Sequence, residues 1–186
     1  MERVVLLDGA GTPVGSAPKA EVHGTDTPLH LAFSCYLLDD DGRLLVTRRS
    51  LAKRTWPGVW TNSFCGHPAP FEPFEDAIRR RGMEELGVHV EDVRPVLPDF
   101  RYRAVDDSGL VENEVCPVFL ARLAEDSGLA PHPAEVAATS WVDPAALARA
   151  VEAAPFAFSP WTVLQLPQAL AALTSPAPLV AGGARS

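Results

Sequence analysis

Long apolar runs are missing from this chain. Val4 to Leu7 is far shorter than the hydrophobic part of a secretory leader, and nothing approaches the ~20 apolar residues that a spanning helix needs. The expectation is a protein without a targeting segment or a membrane partner. A basic excess is missing too. Acidic residues number 24 against 16 Lys and Arg, a formal charge of −8, which disfavours nonspecific binding to nucleic acid or to an anionic bilayer. Cysteine is scarce. Three residues, an odd number with no C-x-x-C spacing, make neither a disulfide framework nor a structural zinc ribbon, and they point to a reduced, cytoplasmic compartment. There are no internal repeats. Periodicity is lost only at the end, where Pro176, Pro178, Gly182 and Gly183 interrupt the text, so one domain is expected over 1–173 and a frayed tail over 174–186.

What is present is concentrated between Trp56 and Gly87. Cys65 and His67 flank Gly66, in a loop where missing Cβ bulk would let backbone and side chains approach a ligand together. A helix is expected from Glu72 to Leu86. Its apolar positions are Phe74, Ala77, Ile78 and Leu86, and it pairs Arg80 with Glu84 and Arg81 with Glu85 at four-residue spacing, with Gly87 as its stop. Arg48, Arg49, Lys53 and Arg54 cluster ahead of the loop. Arg80, Arg81, Arg101 and Arg103 follow it, so an anionic small substrate would find local cations, although such clusters serve equally as solvated faces.

Around this stretch the chain reads as alternating strands and helices. A strand pair opens it, with Val4 to Leu7 turning at Asp8-Gly9. Leu29 to Leu38 follows as a core strand. Period-two geometry puts Leu31, Phe33, Cys35 and Leu37 on one face and His30, Ala32, Ser34 and Tyr36 on the other, toward a candidate pocket. Arg43 to Arg48 is its antiparallel partner. A run at 99–104 turns at Asp106–Gly109 into a strand over 110–121, on which Glu112, Glu114 and Cys116 share a face. A short strand at 137–142, a helix from Pro144 and another from Ser159-Pro160 carrying Trp161 complete the pattern. The order implies an α/β fold, a mixed sheet covered on both sides by helices.

Gly66, then five residues, Glu72, then seven, Arg80, then Glu84-Glu85-Leu86-Gly87-Val88 resembles the Nudix motif, G-x5-E-x7-R-E-U-x-E-E-x-G-U. Arg81 stands where the family's pyrophosphohydrolases carry an acid, and Gly82 replaces a bulky apolar residue. His23, His30, Thr47-Arg-Arg49, Trp56 to Asn62, Cys65-Gly-His67, Arg101-Tyr-Arg103 and Glu112 to Pro117 together resemble the type 1 isopentenyl-diphosphate isomerase family. The likeness runs over about residues 2–165.

The resemblance implies a Nudix-like α/β/α sandwich and a site in which His23, His30, His67, Glu112 and Glu114 converge on one metal, Mn²⁺ or Zn²⁺. Imidazole nitrogen with carboxylate oxygen is the donor set such ions favour. It casts Cys65 and Glu114 as the proton-transfer pair, with Tyr102 hydrogen bonding near Glu114. Trp161 and the Trp56–Trp60 loop would shield a carbocation. Glu85 would hold Mg²⁺ arriving with the diphosphate, and Lys19, Arg49, Lys53 and Arg81 would meet the phosphates. The implied partner is a small isoprenoid diphosphate, and the chain would act as monomer or homodimer. A Nudix hydrolase of a nucleoside-diphosphate derivative is the alternative, against which Arg81 argues; a non-catalytic sensor would not require Cys65 and Glu114 together. His89 and His132 lack such context and are expected at the surface, and Cys35 in the core.

Overall fold

The computed structural model describes residues 2–174, so the expected tail lies outside the described residues from 175 onward. Strands β1 (Arg3–Leu7) and β2 (Pro13–Pro18) form the opening hairpin, whose turn is held by Asp8 Oδ1 accepting from the amides of Ala10 and Thr12. One helical turn, α1 (Lys19–Val22), buries Val22. Then come β3 (His30–Leu31), β4 (Phe33–Leu38), β5 (Leu44–Arg49), β6 (Trp60–Thr61) and β7 (Phe64–Gly66), followed by α2 (Phe74–Leu86). The second half adds β8 (Val90–Leu97), β9 (Arg101–Val105), β10 (Val111–Val115), β11 (Val118–Leu123), β12 (Val136–Val142), α3 (Pro144–Ala153) and α4 (Pro160–Thr174).

Two runs expected as unbroken strands are each cut in two, at Ala32 and at Cys116-Pro117, and the cuts face each other. Before them, β3 and β10 run parallel with His30 opposite Glu114; after them, β4 and β11 run parallel with Ser34 opposite Val118. Main-chain bonds span the crossing, from Ala32 N to Val115 O (2.9 Å) and from Ser34 N to Pro117 O (3.1 Å). Pro117 has no N–H to give a ladder, and there the strand changes sheet. The single mixed sheet expected is therefore two mixed sheets sharing one strand pair. The first has the order β2-β1-β3-β10-β9 and the second β12-β5-β4-β11-β8, with β6 beside β5 and β7 beside β4.

The second sheet is the middle layer of an α/β/α sandwich. On one face Phe33, Cys35 and Leu37 meet Ala77, Ile78 and Leu86 of α2. On the other, Tyr36, Leu44, Val46 and Leu120 meet Leu147 and Val151 of α3 and Leu166 and Ala169 of α4. Alternation along β4 thus sorts as the period-two pattern requires.

Helix α2 starts two residues later than expected. Glu72 stays outside it, accepting from Ala69 N (2.7 Å) and Arg80 Nε (2.8 Å), and so ties the segment after His67 to the helix. Gly87 ends α2 with φ +66°, where any Cβ would also lie 2.9 Å from Ala130 Cβ. Cys65-Gly66 is strand, not loop, because Ser34 pairs with Cys65 and Phe33 with Gly66. A Cβ at Gly66 would fall 2.7 Å from Arg81 Cγ and 2.9 Å from the Phe33 ring. Gly66→Ala should therefore destabilise by about 1–3 kcal/mol, the scale of overpacking a tight interior. Thermal unfolding beside Gly9→Ala, where a Cβ meets nothing within 4 Å, checks this; equal melting temperatures would refute it.

Candidate active site

Where the shared strand pair changes sheet, α1, β7, β9, β10, α2 and the start of α4 surround a cavity of about 460 Å³. Its floor carries a dense polar cluster. His23, just after α1, His30 on β3, His67 just after β7 and Glu114 on β10 each offer a donor atom within 4.8 Å of the others. The strand register places His30 and Glu114 side by side. His30 is fully buried beneath the cavity, with its ring centroid 5.1 Å from that of His23 and 5.2 Å from that of His67.

Tautomers follow from the acceptors. His30 Nδ1 lies 2.9 Å from Pro28 O, which can only accept, so Nδ1 carries the hydrogen. In neutral His30 the Nε2 lone pair then faces Glu114 Oε1 at 3.3 Å. His67 Nε2 reaches the same oxygen at 3.2 Å. Buried nitrogens are left over: His23 Nε2, His30 Nε2 and His67 Nδ1 have no hydrogen bond, nor has Glu112 Oε2, although it stands 2.8 Å from His23 Nε2. Unpaired buried polar atoms are costly, and lone pairs turned on a carboxylate are worse. Three imidazoles and a carboxylate in this arrangement fit a divalent cation with a taste for N and O donors. Glu112 stands at the edge of this group, its Oε1 accepting from Thr55 Oγ1 (2.9 Å).

The cluster's charges are tuned in opposite directions. Burial alone would raise the Glu114 pKa, but the contacts with His30 and His67 outweigh it and hold the carboxyl well below the usual range. Burial lowers the His30 pKa, and Glu114 reverses that to a net rise; at His67 burial prevails and the pKa falls. Tyr102, opposite Glu114 in the β9–β10 register, is pushed well up by burial and then by that carboxylate.

Cys65 lines the cavity from β7. Burial pushes its thiol up to about 11. Its orientation is set by Asn62, a residue inside the Trp56–Asn62 stretch that sequence reasoning did not single out. Asn62 Nδ2 donates to Cys35 O (3.0 Å) and Phe64 O (2.8 Å), which fixes the amide and turns Oδ1 toward the cavity wall. That oxygen accepts from Cys65 Sγ (3.2 Å), Trp161 Nε1 (3.0 Å) and Thr61 Oγ1 (2.9 Å). An acceptor aimed at sulfur favours the thiol. Ser34 Oγ lies 3.5 Å from Cys65 Sγ and from Cys116 Sγ and accepts from Gln165 Nε2 (3.0 Å), so α4 braces the same wall. Cys35 sits in the core under α2, as its neighbours on β4 implied.

The aromatic wall differs from the expectation in one member. Trp161 lines the cavity, with Trp56 edge-on at 5.5 Å and Tyr102 at 5.8 Å. Trp60 instead packs with the second core, bridging to Phe158, because β6 is turned toward α4 by its pairing with β5. His89 and His132 are exposed, as expected.

The lining also carries a set of cations: Lys19, Arg49, Lys53, Arg54 and Arg81. Arg49 is already occupied. Its guanidinium donates to Thr55 O and Trp56 O and sits 5.3 Å over the Trp161 ring, so it shapes the loop that closes this wall. Arg81 donates to Glu84 (2.9 Å) and makes a closer pair with Glu85, while Lys53 pairs with Glu135. Glu135 was missed because it falls between the polar, turn-rich text of 123–132 and the strand expected from 137, in neither pattern.

Residues 28–162 match the family model of the NUDIX domain. The chain is 66% identical over 164 residues to the isopentenyl-diphosphate Delta-isomerase of Agromyces mediolanus, covering 88% of this chain and 79% of that protein. To the protein of the same name from Paenarthrobacter aurescens it is 63% identical over 175 residues, 94% of each. To that of Corynebacterium glutamicum it is 58% identical over 169 residues, 89% of each. Among solved structures, DR0079 from Deinococcus radiodurans superposes with a TM-score of 0.67 at 20% identity, covering 90% of this chain and 99% of that one. A MutT protein from Methanosarcina mazei Go1 gives 0.58 at 18% identity, covering 80% and 97%. At such identities these two speak for the fold alone. By its NUDIX domain and its relatives at 58–66% identity, the chain belongs to the isopentenyl-diphosphate Delta-isomerase family of Nudix proteins.

Proposed function

We propose that this cavity is where the enzyme, an isomerase of isoprenoid biosynthesis, interconverts isopentenyl and dimethylallyl diphosphate, with Cys65 and Glu114 moving the protons. The observation that carries the reading is a half-buried thiol and a buried carboxylate on one cavity, with an indole and several cations in the same lining. The reaction adds a proton to the terminal methylene of the alkene, leaves positive charge on the branched carbon, and removes a proton from the methylene next to that carbon. Nothing else enters or leaves. At neutral pH the resting pair is a thiol and a carboxylate, so Cys65 holds the proton to give and Glu114 is the base to receive one; the reverse direction exchanges the roles. Return of the proton from Glu114 to Cys65 completes the cycle.

Trp161 would face the cationic carbon and help to exclude water, with Tyr102 close to Glu114. Lys19, Lys53 and Arg81 would meet the diphosphate, while Arg49 holds their wall in place. His23, His30, His67 and Glu114 would hold a divalent metal, Mn²⁺ or Zn²⁺, with Glu112 beside His23 as a further carboxylate, and Glu85 would hold Mg²⁺ that accompanies the phosphates. Bound there, such ions supply positive charge that offsets the buried carboxylates and the diphosphate. Three free thiols suit a reduced, cytoplasmic setting. Hydrolysis is the weaker reading, because Arg81 fills with a cation the place of an acidic ligand and spends the neighbouring Glu84 and Glu85 as its partners.

Incubation with isopentenyl diphosphate in D₂O, followed by NMR, tests the reaction: deuterium should appear in the methyl groups of a dimethylallyl product, and release of phosphate without isomer would reverse the ranking. Cys65→Ser and Glu114→Gln should each lose at least ~100-fold in turnover, the usual lower scale for a positioned acid or base. Near-normal turnover in Cys65→Ser with metal bound would make the thiol structural. His67→Asn should lose stoichiometric metal by elemental analysis while keeping its circular dichroism. Full metal content in that variant would sink the ligand assignment.

A further inference from the structure

Each cation lining the cavity already has an anion or carbonyl of this chain against it. Lys19 Nζ is 2.9 Å from Glu2, Arg54 donates to Ala20 O (3.0 Å), and Arg81 is held by Glu84 and Glu85. Glu135 is the unusual partner, since it addresses two of these cations from outside their own elements. Its Oε2 pairs with Lys53 Nζ, and Arg81 Nη2 lies 3.9 Å from the same oxygen. Arg81 is buried, its side chain 7% exposed, whereas the Glu135 and Lys53 side chains are 28% and 25% exposed. The Glu135 backbone is pinned: its N–H donates to His132 O and its carbonyl accepts from Ser50 N, both at 2.9 Å. Burial works against this carboxylate, yet Lys53 and Arg81 hold its pKa below the ordinary value. It is therefore ionised at neutral pH.

We infer that Glu135 is a built-in competitor for the diphosphate cradle, a tethered carboxylate that occupies the space between Lys53 and Arg81 and must leave before a phosphate can enter. The inference rests on the reading that Lys53 and Arg81 meet the diphosphate. A carboxylate on a short tether acts at an effective concentration of millimolar order. It lowers the affinity of every displacing anion by a common factor. Weak monovalent anions then fail to occupy the cradle at all, while a diphosphate, which touches several cations at once, still binds. The same return of Glu135 to Lys53 would hasten product departure. A common factor leaves the ratio of affinities between anions unchanged; what falls is the occupancy of the cradle by weak anions at a given concentration.

The test is binding of inorganic pyrophosphate, with magnesium present, by calorimetry on the full chain, alongside KM and kcat for isopentenyl diphosphate. Glu135→Gln and Glu135→Ala leave the main-chain bonds intact and should both tighten pyrophosphate and lower KM by about 3- to 10-fold, the scale of a partly exposed ion pair released from competition. Orthophosphate should tighten by a similar factor. Unchanged or weaker binding in both variants would overturn the inference. Lys53→Gln separates it from the underlying reading. Should that variant raise KM while the Glu135 variants change nothing, the cradle stands and the competitor falls. Should Lys53→Gln change nothing while the Glu135 variants still tighten binding, Lys53 is no phosphate ligand and Glu135 competes at Arg81 alone.

Discussion

An ionised carboxylate in a dry interior costs several kcal/mol unless its surroundings are arranged for it, and Glu114 is such a group. Much of the fold serves to place its compensation. The parallel pairing of β3 with β10 brings His30 beside it, the β4–β7 pairing leads the chain to His67, and α1 ends at His23. Those imidazoles do not settle the matter alone, because their leftover nitrogens are buried without partners. A cluster so incomplete without a cation is poor as a stability element. It is suited instead to holding a carboxylate in its charged form at the wall of a cavity.

The same crossing explains how a thiol comes to share the site. Strands that change sheet open their faces at the change, and there Ser34 meets both Cys65 and Cys116 on the wall that α4 braces. Asn62 then does what a larger framework would otherwise have to do. With both its N–H bonds fixed to main-chain carbonyls, one amide oxygen holds Cys65, Thr61 and Trp161, tying β7 to α4. Replacing any of those donors leaves the oxygen with others, whereas losing the amide frees a thiol and an indole together.

Much of this was legible before any coordinates. Period-two alternation placed Phe33, Cys35 and Leu37 in the core and His30 and Ser34 on the other face, because each strand has one greasy side whichever sheet it joins. The alternation at Glu112 and Glu114 carried over in the same way. The change of sheet was not legible. It depends on two strands breaking at matching positions, and only Pro117 hinted at one of them. Asn62 was overlooked because an amide in a polar stretch has no periodicity, and its role lies in what surrounds it. Trp60 was misplaced since two tryptophans four residues apart in a loop can face opposite ways, as they do here: Trp56 has φ +43° and packs with Trp161 and Tyr102, while Trp60 joins the sheet. Glu135 could be found only by asking which acids a fold brings to its bases.

Helix α2 shows how a shared motif is turned to another use. Glu72, just ahead of the helix, and Arg80 within it are locked together and to the backbone at Ala69 and His67, so they fix the segment that presents His67. At the position after Arg80, where pyrophosphohydrolases of this fold resemble one another in carrying an acid, Arg81 reaches Glu84 and Glu85 instead. A row of carboxylates on that face would gather hard cations and activate water. With a buried guanidinium among them, their negative charge is largely met within the helix, and what remains toward the cavity is a single carboxylate at Glu85 beside a cation. The helix thus lacks the row of unpaired carboxylates on which metal-assisted attack on a P–O–P linkage would rest.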